Sequence, residues 1–152
     1  MPAPYETHRA QLKAILQSWG MEEDNADITA DILGWADLHG VDSHGMSMIP
    51  GYDGLRRSGR ADMKARPKIV RETPVSALVD AGGGLGHVPS HFAMNVAIDK
   101  AKKVGMAAVA VRNSAHFGAT GYYTLMAAKQ GLIGMAGTSA PACRPWAPPG
   151  CR

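Results

Sequence analysis

GMAAVAVRNSAHFG, residues 105–118, decides how this chain is read. Met106 to Val111 is a continuous apolar run of strand length, the pattern of a strand covered on both faces. Within three residues the chain turns polar. Arg112, Asn113, Ser114 and His116 cannot continue a buried strand, so they are expected at its carboxyl end, where open α/β sheets hold their ligands. His116, followed by Phe117 and Gly118, is the leading candidate for chemistry.

Working outward, Tyr122, Leu125, Met126 and Lys129 form one stripe of a helix expected over 119–130, stopped by Gly131. Leu132 to Thr138 reads as a further strand. On the amino-terminal side, Met94, Ala97, Ile98 and Ala101 recur at helical spacing, with Pro89 suited to the first turn of that helix. Val75 to Asp80 is a short strand before it. The order strand, helix, strand, helix, strand predicts α/β layering.

The first 60 residues read as helical. Leu12, Ile15, Leu16 and Trp19 make an amphipathic stripe ended by Gly20. A second helix is expected from Glu22 to about His39, apolar on two faces and therefore sandwiched. Pro50 is tolerated only near a helix start, so a third helix is expected over 47–58. His44, Met48 and Tyr52 are spaced four apart and share a face if the helical path reaches back to His44. Residues 61–74 read as a charged connector and 75–140 as the α/β part. In 141–152 the prolines forbid helix and central strand, and we expect either a prematurely ended reading frame or a partner subunit covering a sheet edge.

The composition narrows the function classes. The 152 residues are 45% hydrophobic, 19% charged and only 6% aromatic, which disfavours a base-stacking nucleic-acid surface. Sixteen basic against thirteen acidic side chains give +3, too small a surplus to imply a polyanionic partner. The two cysteines, Cys143 and Cys151, build no disulfide framework or zinc site, so a reducing, cytoplasmic compartment is the default. No signal or membrane-spanning run is present in the sequence.

Several motifs have competing readings. AGGGLGHV, residues 81–88, lies between strand and helix, but His87 stands where a dinucleotide fingerprint needs glycine, and the second strand ends in Arg112 rather than an acid. A tight turn with amides facing an anion is the favoured use. His39, Asp42 and His44 are weighed as metal ligands, as a hydrogen-bonded knot, or, for His44, as a substrate contact. No metal site is assigned. His8, His87 and His91 read as solvent-facing or locally bonded. For His116 the plain reading is a turn-capping histidine. The chemical one is an acid/base, since imidazole can take a hydroxyl proton near neutral pH and return it.

At GVDSHGMSMIPGY and VRNSAHFGATGYYTLMAAKQGLIGMAGTS the chain resembles the type-2 malate/L-lactate dehydrogenase family, over its amino-terminal part only. The resemblance implies a non-Rossmann fold, α/β in its second part and α+β overall, with a helical start. It also implies NAD- or NADP-dependent oxidoreduction of a small 2-hydroxy or 2-oxo acid by a homodimer. His116 corresponds to the family's acid/base, and His44 and Tyr52 to substrate contacts. Thr138, Ser139 and Gly118 correspond to the nicotinamide site. Many relatives carry arginine at the place of Met48, where a guanidinium would clamp the substrate carboxylate; Arg112 is the residue of this chain that could supply that charge instead. A chain that is catalytically silent or binds a partner, and a metal-dependent hydrolase, are the alternatives.

Overall fold

A computed structural model describes residues 4–139. The expectations for 141–152, including both cysteines, lie outside them. Helix α1 (Tyr5–Ser18) buries Leu12 and Leu16 completely and ends at Gly20, in the left-handed region. Helix α2 (Glu23–Leu38) opens with Glu23 and Asp24 at the positive end of its dipole. Two 3-10 turns, Asp42–His44 and Met46–Met48, lead into α3 (Ile49–Arg57), with Pro50 in its first turn. Three strands follow, β1 (Lys68–Glu72), β2 (Ser76–Asp80) and β3 (Ala108–Arg112); α4 (His87–Val104) connects β2 to β3, and α5 (Thr120–Ala128) follows β3.

Helix α2 is sandwiched as its two apolar faces require. It packs against α1 on one side and meets α4 and α5 on the other. One core joins Leu12 and Leu16 of α1, Ala26, Ala30 and Leu33 of α2, Tyr52 of α3 and Leu85 of the glycine-rich loop. The helical start is therefore covered by its own chain. Ion pairs reinforce the α1–α2 contact: Arg9 and Lys13 both reach Asp27, at 3.0 and 2.8 Å. Among the described residues no helix is long and apolar enough to cross a membrane.

The sheet differs from expectation in three ways. First, the connector contains β1, which pairs antiparallel with β2 through a turn closed by Thr73 and Ser76. Its five residues are all exposed, so no burial alternation marked it in the sequence. Second, Leu132 to Thr138 forms no strand. It runs against α5 instead, with Gly134 so close that a Cβ there would sit 2.7 Å from the Thr124 carbonyl, and Ile133 and Met135 stand 96% and 88% exposed. Third, β3 is an edge rather than a fully covered strand, exposed at Ala108, Ala110 and Arg112. The parallel β2–β3 pair does match the expected β-α-β order. Ala77 pairs with Val109 and Val79 with Val111, and α4 covers these two strands.

Candidate active site

The residues after β3 form a loop that carries His116, and the glycine-rich loop after β2 lashes it down. Gly83 N–H donates to the Asn113 carbonyl at 2.8 Å, Ala115 N–H to Gly84 O at 3.0 Å, and Gly86 N–H to His116 O at 2.9 Å. Gly82 N–H donates to Asp80 Oδ1 at 2.9 Å and Gly84 N–H to Ala81 O at 3.2 Å. These amides are therefore spent on internal acceptors. The expectation of a loop whose amides face an anion is corrected: the loop is a clamp for the His116 backbone.

Asp80, at the end of β2, gathers the other side of this clamp. It accepts from Gly82 N–H, Asn113 Nδ2 and Arg112 Nε, and these bonds hold its carboxyl below the usual carboxylate range. Arg112 is thus engaged with Asp80 at 2.9 Å.

A second element brings His44 and Tyr52 to the same place. The helical path does not extend back from α3 to His44, because Gly45 interrupts it. The Asp37 carboxylate of α2 occupies the space beside Gly45, where a Cβ would lie 1.8 Å from Oδ1; the same carboxylate accepts from Met46 N–H at 2.9 Å and pairs with His8 at 2.7 Å. His8 therefore makes a tertiary contact. Although the shared helical face fails, the fold still places the His44 ring 5.4 Å from the His116 ring, and the Tyr52 ring 5.9 Å from it.

Within this group the hydrogen bonds are specific. Tyr52 Oη lies 2.8 Å from His116 Nδ1, and Gly118 N–H donates to the same nitrogen at 3.3 Å. The other ring nitrogen, Nε2, has no partner among the described residues and is not among their buried unpartnered atoms. One edge of the imidazole is thus fixed and the other is free to meet a substrate. Burial first, and then repulsion from His44, hold His116 below the ordinary histidine pKa. Tyr52 is completely buried, so in this structure its hydroxyl orients His116 from behind and presents no surface of its own.

The remaining expected residues are placed differently. Met48 packs half-buried against the α1–α3 core and puts no charge beside His116. Gly118 is left-handed with φ +77°, and a Cβ there would lie 2.7 Å from His87 Nε2, so internal packing explains the glycine. Thr138 and Ser139 are exposed and outside any strand. With the glycine-loop amides also spent, the described residues form no cradle for a dinucleotide. His39 stacks on Trp35 and bonds to the Trp35 carbonyl, while His44 pairs with Ser43 Oγ at 2.9 Å. No cluster of three potential ligands exists among the described residues, so His39, Asp42 and His44 do not come together around a metal.

His87 is the residue that sequence reading missed. It was expected to face solvent or bond locally, yet it is wholly buried at the start of α4, with Nε2 3.4 Å from Tyr52 Oη. Its flanks gave a signal: Leu85 and Val88 are apolar and buried, which places the histidine between them inside the core.

A family model described as malate/L-lactate dehydrogenase matches residues 3–151. The malate dehydrogenase of Pyrococcus abyssi is 47% identical over 126 residues, covering 82% of this chain and 34% of the relative. The L-sulfolactate dehydrogenase of Methanocaldococcus jannaschii is 41% identical over 142 residues, covering 93% and 41%. The solved sulfolactate dehydrogenase of the latter organism superposes with a TM-score of 0.82 at 41% identity, over 86% of this chain and 38% of that one. The malate dehydrogenase structure from Entamoeba histolytica gives 0.83 at 39% identity, over 86% and 37%. The chain thus spans between 34% and 41% of the length of these two curated relatives. It belongs to the malate/L-lactate dehydrogenase family.

Proposed function

We propose that this chain carries the acid/base and substrate-orienting part of an oxidoreductase acting on the CH–OH group of a small 2-hydroxy acid, with His116 as the acid/base. The observation that carries this reading is the His116 imidazole held at Nδ1 by Tyr52 and unpartnered at Nε2, with His44 beside it. In oxidation Nε2 takes the substrate hydroxyl proton. In reduction of the 2-oxo acid it returns that proton. A pKa pushed below the ordinary value keeps the ring largely neutral, and so available as a base, at neutral pH.

His44 is the group best placed beside His116 to orient the substrate by a hydrogen bond. Met48 offers no guanidinium, so a bidentate carboxylate clamp is not expected from that position. The reading calls for NAD or NADP as the hydride carrier, and one relative, from Chromohalobacter salexigens, is named as NADP(+)-dependent. The described residues form no cradle for that carrier, and their part is confined to the substrate proton and its orientation. A homodimer is the assembly this reading takes from its family.

A second reading, a chain that is silent alone and acts by binding a partner, is favoured by the Gly82, Gly83, Gly84 and Gly86 amides being spent on internal acceptors. Both are separated by titrating the purified chain with NADH, following nicotinamide fluorescence, and assaying oxo-acid-dependent NADH and NADPH oxidation. Turnover supports the dehydrogenase. No fluorescence change and no turnover at millimolar cofactor support the silent chain.

A further inference from the structure

We propose that His87 is a positioning residue for the His116 acid/base, acting through Tyr52 as the buried end of a hydrogen-bond relay that lets His116 hold the proton it takes. The proposal rests on the reading of His116 given above, and extends it to a residue 29 positions away in sequence that touches no substrate.

The geometry is a line of three groups. His116 Nδ1 is 2.8 Å from Tyr52 Oη, which is 3.4 Å from His87 Nε2. The Tyr52 hydroxyl has one hydrogen and can aim it at only one of its two neighbours. When His116 is neutral with Nδ1 accepting, the hydroxyl donates to His116, as Gly118 N–H also does. When His116 carries the substrate proton, both of its nitrogens bear hydrogen. Nδ1–H then needs an acceptor, the Gly118 N–H bond to that nitrogen is given up, and Tyr52 Oη is the acceptor within reach. Tyr52 can accept there without stranding its own hydrogen only by turning it toward His87 Nε2. No proton leaves the three side chains in this turn, since only the hydroxyl hydrogen reorients.

The burial of the relay gives the turn its weight. Tyr52 and His87 are both fully buried, and an unpaired hydroxyl hydrogen there is costly. Burial, and then His116, push His87 down to about 3 and keep it neutral; its Nε2 is an acceptor in the tautomer that carries the hydrogen on Nδ1, which is buried without a partner among the described residues. Burial also pushes the Tyr52 hydroxyl up, so it stays protonated. The titratable groups around the relay are Tyr52 from α3, His44 from the loop before it, His87 from α4 and Tyr123 from α5, whose hydroxyl burial keeps protonated; no carboxylate hydrogen-bonds to the His87 or the His116 ring among the described residues. Gly118 closes the packing, because a side chain there would displace His87.

The test is a histidine-ring NMR titration of the chain without substrate, which reads hydrogen bonding independently of turnover. His87→Leu should lower the His116 pKa by about one unit, the loss of a hydrogen bond supporting a charged group. His87→Gln, whose amide oxygen can accept from Tyr52, should keep it. In a Tyr52→Phe background His87→Leu should produce no further shift. If His87→Leu does not fold, His87→Met carries the same expectation. An unchanged His116 pKa in the apolar variant, an equal shift in His87→Gln, or an undiminished shift without Tyr52 would overturn the relay. A full-rate His116→Ala enzyme would instead remove the acid/base reading and leave the titration result standing.

Discussion

Tyr52 Oη and His116 Nδ1 lie 2.8 Å apart across 64 residues of sequence, joining the first turns of α3 to the loop after β3. Each partner is held by its own device. Tyr52 is locked into the α1–α3 core, and the His116 backbone is clamped by the glycine-rich loop. The bond therefore fixes which ring edge of His116 is free.

Tyr52→Phe keeps the packing ring and removes this bond. Turnover should fall by about tenfold, the factor that corresponds to losing about 1.4 kcal/mol of orienting interaction. Thermal stability should change little by comparison. Initial rates beside a melting curve check this, and unaltered turnover would show that Nδ1 needs no partner.

His44 contributes to the low His116 pKa by repulsion between the two rings. His44→Gln should therefore move the His116 pKa upward, toward the ordinary histidine value. The acid limb of kcat/KM for alcohol oxidation should move up with it, because the base must be neutral. An unmoved limb would assign the depression to burial alone.

Burying His87 in its neutral form makes stability depend on pH. Its folded pKa is pushed down to about 3, below the ordinary histidine value, so the unfolded chain binds the extra proton. Its contribution is complete above about pH 6.5 and is lost as pH falls toward about 3, at about 1.4 kcal/mol per pH unit. His116 and His91, also pushed down by burial, act in the same direction. Urea unfolding between about pH 7 and about pH 5, where carboxylates remain ionised, should show this slope. His87→Gln should reduce it by the His87 share, and an unchanged slope would contradict a buried neutral His87.

Gly118→Ala would put a methyl group 2.7 Å from His87 Nε2 at a left-handed φ of +77°. We expect a loss of about 1–3 kcal/mol in denaturant unfolding from overpacking and backbone strain together. A neutral result would mean that the two loops separate easily.

The helices were legible because their stripes are long and their stops are explicit, as with Leu12, Leu16 and Gly20, or Pro89 and the α4 start. The parallel β2–β3 pair was legible from two short apolar runs around a helix. The strand β1 was not, because KIVRE has no buried face to leave an alternating signature. Leu132 to Thr138 has strand-like composition, but composition does not say whether a partner edge receives it; here Gly134 packs on α5 instead. His116 stood out because it lies in the polar, glycine-bounded turn that follows an apolar run. His87 did not, because its role depends on Tyr52, 35 residues away, and on the turn at Gly118.

The most direct measurement is the rate of oxo-acid-dependent NADH and NADPH oxidation by the purified chain and by its His116→Ala variant, at matched folding and saturating substrate. Where the dinucleotide site is completed and turnover is measurable, we expect a fall of about 10²- to 10⁴-fold in the variant, the range that general acid/base catalysis contributes. Equal, measurable rates in the two proteins would contradict His116 as the acid/base.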